Sequence, residues 1–341
     1  MEYVQLGRTG LKCAAVSFGG IPIQRSNAAN TCAVVDALER FGMNYIDTAR
    51  GYTVSEEYLG AALEGRRDKF ILATKSMSRD YESMKRDIGV SLGNLRTDYI
   101  DVYQIHNLPL KDFDQVFGPQ GAYRALAEAK AEGKIGHIGA TAHSVDALGK
   151  IVEEYSDRIE TVMFPYNIVE SQGEDVLRQA REKGMGTIAM KPLAGGNLDD
   201  WELALRYVAQ AACIDISIPG MGSPEEVERN AAVELTAPLN PEELERCAAV
   251  RRELGSQFCR RCGYCAPCTV GIDIPNNFTF LNYLKKYDLA DWAKSRYGSL
   301  SHHAGECIGC GKCGWGACES RCPYELPIRE MLQGVAAQFG Y

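Results

Sequence analysis

The chain has 341 residues, 45% of them hydrophobic and 24% charged, which is enough apolar material for one large folded domain and one small one. Its 37 basic residues are outnumbered by 45 acidic ones for a net charge of -8, and no Lys/Arg run is long enough to track a phosphate backbone, so nucleic acid is excluded as a partner. With no apolar stretch of about 18 residues and no basic leader followed by an apolar run, the expectation is a cytoplasmic protein that does not span a membrane.

The first element, YVQLGRTGLKCA, reads as a β-hairpin turning at Arg8 to Gly10, placed to plug the N-terminal face of a barrel. From about residue 14 to 235, short apolar runs alternate with longer amphipathic ones. Eight such units can be counted, with strands AVSFGG, NYIDT, FILATK, YIDVYQIH, IGHIGAT, TVMFPY, GTIAMKP and IDISIPG. Helical stretches such as ANTCAVVDALERFG and DALGKIVEEY lie between the strands. Eight successive units of roughly 25 to 35 residues match an α/β fold of the (β/α)8 TIM type. An open doubly wound sheet is the alternative, and the lack of a GxGxxG after the first strand counts against it. Next, NPEELERCAAVRREL predicts a helix with Asn240 as N-cap and Pro241 at its first position. The composition then turns to Cys, Gly and Pro, broken by an aromatic, basic stretch from Phe278 to Tyr297. This places a domain boundary near Gly255, with a barrel over 1–254 and a small C-terminal cysteine-rich domain over 255–341.

Polar side chains at the C-terminal ends of barrel strands project into the mouth, where this fold places its active sites. Asp47 and Tyr52 after the second strand, Lys75 at the end of the third and His106 at the end of the fourth stand at successive strand ends. Taken singly, each could be a buried ion pair, an interfacial ring or a satisfied core histidine. Together they form a candidate catalytic set. NYIDTARGY, ILATK and DVYQIH, with RTGLK, GKIGHIG and IPGMGSPEEVERN, resemble the motifs of the aldo-keto reductase family over roughly residues 3 to 235. The resemblance implies a catalytic tetrad of Asp47, Tyr52, Lys75 and His106, with Tyr52 as the acid, and a carbonyl or alcohol substrate. Elementary chemistry agrees, because a phenol of ordinary pKa about 10 needs a neighbouring cation such as Lys75 to release its proton.

The resemblance also implies a nicotinamide cofactor, held by Lys191, Leu193, Gly195 and Gly196 of KPLAGG and by Gly220 and Asn230. The sequence departs from the family there. Where relatives bind a 2′-phosphate with cations this chain has Gly220 and Glu226, so NADH is expected over NADPH. The places that meet the nicotinamide ring read Thr141, Ala142, Met163 and Met190. A flavin stays open as a further cofactor, although no flavin motif is visible.

Nine of the thirteen cysteines fall between Cys259 and Cys322. Cys259, Cys262, Cys265 and Cys268 form CxxCxxCxxC, and ECIGCGKCGWGACESRCP supplies Cys307, Cys310, Cys313, Cys318 and Cys322. Repeated two-residue spacings ending in Cys-Pro favour iron-sulfur clusters over structural zinc. The pattern resembles bacterial-type ferredoxins with two [4Fe-4S] clusters, the GWGAC segment reading as an insertion. That resemblance implies one cluster on Cys259, Cys262, Cys265 and Cys322, and the other on Cys268, Cys307, Cys310 and either Cys313 or Cys318, with Cys318 slightly favoured. Cys13, Cys32, Cys213 and Cys247 read as buried packing residues. The expected activity is thus an oxidoreductase whose clusters relay electrons to a ferredoxin or flavodoxin. The alternative is a non-catalytic electron-transfer or regulatory protein that uses the barrel as a binding scaffold.

Overall fold

The computed structural model describes residues 1–255, 257–313 and 317–340. The glycines and tryptophan at 314–316, within the expected insertion between Cys313 and Cys318, lie outside them. The chain divides into two compact units: Met1–Leu193 with Leu198–Leu239, and Ala194–Asn197 with Asn240–Tyr341.

The first unit is an eight-stranded parallel barrel. Its strands are β3 (Phe18–Gly19), β4 (Tyr45–Asp47), β5 (Ile71–Ser76), β6 (Ile100–Ile105), β7 (Ile135–Thr141), β8 (Thr161–Pro165), β9 (Gly186–Met190) and β10 (Ile216–Ile218), each paired with the next in sequence. Parallel bridges from Val16 to Ser217 and from Gly19 to Gly220 join the first strand region to the last. The sheet has therefore curled back on itself, as the repeat predicts.

Each strand contributes alternate side chains to the barrel interior. Tyr45, Ala73, Val102, Met163, Ile188 and Ile216 fill that interior as a buried apolar cluster, with Leu6 of the hairpin inserted among them. The hairpin strands β1 (Tyr3–Gln5) and β2 (Lys12–Ala14) bring Leu6 there through a turn at Gly7–Thr9. Gly7 has a φ of +49°, and a Cβ on it would lie 2.2 Å from the Gly186 amide nitrogen, so only glycine permits the turn to press against the start of β9.

Helices cover the outer face of the barrel through a second, larger apolar cluster that includes Val34, Leu38, Leu59, Ile88, Leu126 and Leu148. Side-chain caps set several helix starts: Asn27 accepts from the Asn30 amide ahead of α1 (Ala28–Phe41), and Asp80 from that of Ser83 ahead of a helix over Tyr81–Asn94. Cys13, Cys213 and Cys247 are buried, but Cys32 is exposed, which corrects the expectation for that residue. The buried face of α1 carries Thr31, Val34, Val35, Ala37 and Leu38, and position 32 turns away from it.

The second unit has its own core of Ile272, Ile274, Phe278, Tyr297, Leu332 and Val335. Its first helix spans Pro241–Gly255 and begins with a reciprocal cap, Asn240 Oδ1 accepting from the Glu243 amide at 2.9 Å and Glu243 Oε2 from the Asn240 amide at 2.8 Å. That helix groups with the second unit, whose main segment starts at Asn240. Among its described residues only Cys247 is buried, so it has little apolar face of its own. Among the described residues no helix is long and apolar enough to cross a membrane.

Candidate active site

Asp47 ends β4, Lys75 lies on β5, His106 follows β6 directly, and Tyr52 sits in the loop between β4 and a helix α2 over Ser55–Ala62. Tyr45 and Asp47 share one strand face, as do Ala73 and Lys75. The charged pair therefore stands at the C-terminal end of the interior whose lower part is lined by the apolar residues above. Lys75 Nζ donates to Asp47 Oδ2 and, at 2.7 Å, to the carbonyl of Thr48, and both side chains of the ion pair are 3% exposed. Gln104 Nε2 donates to the other carboxylate oxygen of Asp47 at 3.1 Å. Burial pushes the Asp47 carboxyl up and the Lys75 ammonium down, and each partner's charge opposes the other's shift.

The Lys75 ammonium stands 4.9 Å from the centre of the Tyr52 ring, and the His106 ring meets Tyr52 edge-on at 6.0 Å between centroids. All four residues named from the sequence thus come together. Burial first, then the charges of Lys75, Arg79 and Lys191, hold His106 well below the usual imidazole range, which makes it a neutral ring. Its Nδ1 is buried without a hydrogen-bond partner among the described residues. Arg79 fixes the backbone beneath it, donating to the carbonyls of His106 at 3.0 Å and Asn107 at 2.7 Å while pairing with Asp112 at 2.8 Å.

Sequence reasoning missed Gln104 and Arg79. Gln104 was recoverable, since it lies two residues before His106 and strand alternation puts both on one face. Arg79 carries no such signal, because two of its partners are backbone carbonyls and the third, Asp112, lies 33 positions away.

The residues assigned to a nicotinamide are spread more widely. Asn230 is 2% exposed and neither atom of its amide has a hydrogen-bond partner among the described residues. Lys191 adopts a φ of +56°, with its carbonyl accepting from Asn167 Nδ2 at 3.0 Å, and Leu193 packs on the outer core. Gly195 and Gly196, both at positive φ, group with the second unit, where Asn282 Nδ2 donates to the Gly195 carbonyl at 3.3 Å. A Cβ on Gly195 would lie 2.7 Å from that Asn282 nitrogen, so this glycine already has a structural reason to be there. Gly220 bridges β-fashion to Gly19. Beyond it, Glu226 Oε2 accepts the Gly222 amide at 2.5 Å, at the start of a helix over Pro224–Ala231 capped by Ser223.

In the second unit, Cys259, Cys262, Cys265 and Cys322 line a cavity of about 20 Å³ with Arg260 and Tyr324. A larger cavity of about 180 Å³ is lined by Cys268, Cys307, Cys310, Cys313 and Cys318 with Arg321 and Arg329. All thirteen cysteines are free thiols, and among the described residues no three His, Cys, Asp or Glu side chains form a group that could hold a metal ion.

The state of His106 has a consequence for stability. The unfolded chain protonates this imidazole near its ordinary value of 6.5, whereas the folded chain resists until lower pH. The folded protein therefore keeps this contribution above about pH 6.5 and loses it as pH falls further. Replacing His106 with Asn should make the fall of the thermal midpoint below about pH 6.5 shallower than in the wild type. Parallel pH curves for the two proteins would contradict the neutral imidazole.

Comparison with known proteins extends the geometry. The model of the Aldo/keto reductase family matches residues 15–203, more than half of the chain, and includes all four mouth residues. The chain is 29% identical over 281 residues to L-galactose dehydrogenase of Arabidopsis thaliana, covering 68% of this chain and 88% of that protein. It is 28% identical over 244 residues to 6-dehydroglucose reductase of Novosphingobium aromaticivorans, covering 64% and 77%. Among solved structures, the holo form of aldo-keto reductase AKR11C1 from Bacillus halodurans superposes with a TM-score of 0.64 at 26% identity, covering 73% of this chain and 96% of that one. Barrel topology, mouth chemistry and sequence agree, and the chain belongs to the aldo/keto reductase family of oxidoreductases.

Proposed function

We propose that the barrel mouth reduces an aldehyde or ketone, or oxidises the matching alcohol, with Tyr52 exchanging the proton at the substrate oxygen. The observation that carries this reading is the position of Lys75, buried against Asp47 on one side and facing the Tyr52 ring on the other. A carbonyl that accepts hydride at carbon needs a proton at oxygen, and Tyr52 donates it. The phenolate left behind is stabilised by the Lys75 ammonium, which Asp47 keeps charged against its burial. His106, neutral, orients the carbonyl oxygen by a hydrogen bond and competes for no proton. In the reverse direction Tyr52 takes up the alcohol proton. The names of the two curated relatives concern sugars, so sugar aldehydes and polyols are the first substrates to assay.

A reduced nicotinamide would supply the hydride. The residues present suit it at one end: the buried Asn230 amide lacks partners and matches a polar heterocycle. Lys191, Leu193 and Gly220 are the other places that would hold it. NADH is the form favoured, because Glu226 already fills the helix start that would otherwise receive a 2′-phosphate.

The second unit is proposed to carry two [4Fe-4S] clusters that exchange single electrons with a ferredoxin- or flavodoxin-like carrier in a reducing compartment. The larger thiol-lined cavity supports this, because a cubane takes its cysteines around a volume, whereas zinc draws four ligands to one point. The grouping of Cys259, Cys262 and Cys265 with Cys322 is the one the ferredoxin resemblance implies. Five thiols line the larger cavity, so one of Cys313 and Cys318 is surplus to the four a cluster needs.

Three outcomes test the reading. Tyr52→Phe should abolish carbonyl reduction while leaving thermal midpoint and iron content unchanged; near-wild-type turnover would remove Tyr52 from the acid role. Anaerobically prepared protein should contain about eight irons, with one of Cys313→Ser and Cys318→Ser keeping the full count. About four irons, or zinc, would overturn the two-cluster assignment. Direct titration should give tighter binding of NADH than of NADPH, and the opposite order would defeat the argument from Glu226.

A further inference from the structure

Glu56 lies in the first turn of α2, yet its side chain is 1% exposed. A buried carboxylate is costly unless its lone pairs are met by donors, and here four donors meet them. Thr74 Oγ1 at 2.7 Å and Ser91 Oγ at 2.8 Å donate to Oε1. Arg50 Nη1 at 2.8 Å and Asn94 Nδ2 at 3.2 Å donate to Oε2. Glu56 thus ties the strand that carries Lys75 to the neighbouring helix and to the loop between Asp47 and Tyr52.

The Arg50 link bears on the reaction. Arg50 is held at both ends, its guanidinium by Glu56 and its backbone amide by the carbonyl of Lys75 at 3.0 Å. Tyr52 comes two residues later, in a turn closed by its amide donating to the Ala49 carbonyl at 3.0 Å. Ser55 completes the clamp, its hydroxyl 2.8 Å from that of Thr48, whose carbonyl accepts from Lys75 Nζ. From this geometry we propose that Glu56, acting through Arg50, is a positioning residue that sets the Tyr52 phenol against the Lys75 ammonium. The proposal rests on Tyr52 being the acid. The two donors to Oε2 separate its roles: Asn94 joins only helices, whereas Arg50 belongs to the loop that bears Tyr52. A glutamine at this position keeps an oxygen for Thr74 and Ser91 but turns an NH2 group toward Arg50 and Asn94, both of which are donors.

The test uses full-length protein labelled with 3-fluorotyrosine, with the Tyr52 resonance identified by its absence from Tyr52→Phe, and turnover of 4-nitrobenzaldehyde with NADH. Glu56→Gln and Arg50→Met should each shift the Tyr52 resonance and lower kcat by about 10- to 100-fold, with KM for NADH changed less than about twofold. The double variant, which leaves no unpaired charge, should fall no further than either single one. Asn94→Ala should lower the thermal midpoint yet leave the resonance in place and kcat within about twofold. An unmoved Tyr52 resonance with unchanged kcat in Glu56→Gln would overturn the proposal, as would an equal loss of kcat in Asn94→Ala. Failure of the underlying reading looks different: Tyr52→Phe would itself keep its turnover, whatever the resonance does in the other variants.

Discussion

A lysine ammonium and an aspartate carboxylate face each other at the C-terminal end of the barrel with almost no access to water. Taking two ions out of water costs several kcal/mol each, and their attraction offsets this only where the geometry is good and the remaining hydrogen-bonding groups are met. Both conditions hold here. Thr48 and Gln104 supply the additional bonds, and the surrounding strands fix the carbonyl and amide that make them. The outcome is a buried Lys75–Asp47 pair in a site of low dielectric, set against the Tyr52 ring. Removing only one partner would leave the other charge buried and unpaired, so the pair stands or falls together.

Much of this was readable in the sequence. Eight strand-and-helix repeats gave the barrel, and polar residues at successive strand ends gave the mouth, because strand alternation and the fold's handedness leave side chains such as Asp47 and Lys75 no other place to point. The supports of those residues were harder to see. Glu56 reads as an ordinary acidic residue in the first turn of a helix, where such residues are common and exposed. Only the packing of Thr74, Ser91 and Asn94 around it reveals a buried anion, and those partners lie 18 to 38 positions away in sequence.

The C-terminal part reads differently. Cysteine spacing is a local signal that can be read without any fold, whereas the start of a compact unit depends on packing. A well-capped helix that continues the rhythm of the preceding repeats looks like a last barrel helix, yet it buries a single cysteine and groups with the segment after it. Gly195 and Gly196 show the same limit. Glycines in a loop after a strand suit a phosphate, and here the carbonyl of one of them, Gly195, accepts from Asn282.

The central claim is that the Asp47–Lys75 pair exists for proton transfer more than for stability, and the double variant Asp47→Asn with Lys75→Met separates the two. Exchanging both members of a buried pair for neutral side chains of similar size is often close to neutral for folding. The thermal midpoint should therefore stay near that of the wild type, while kcat for carbonyl reduction falls by about 10²- to 10⁴-fold, the usual worth of a positioned acid. A double variant that folds normally and keeps turnover within a few-fold of the wild type would contradict this account.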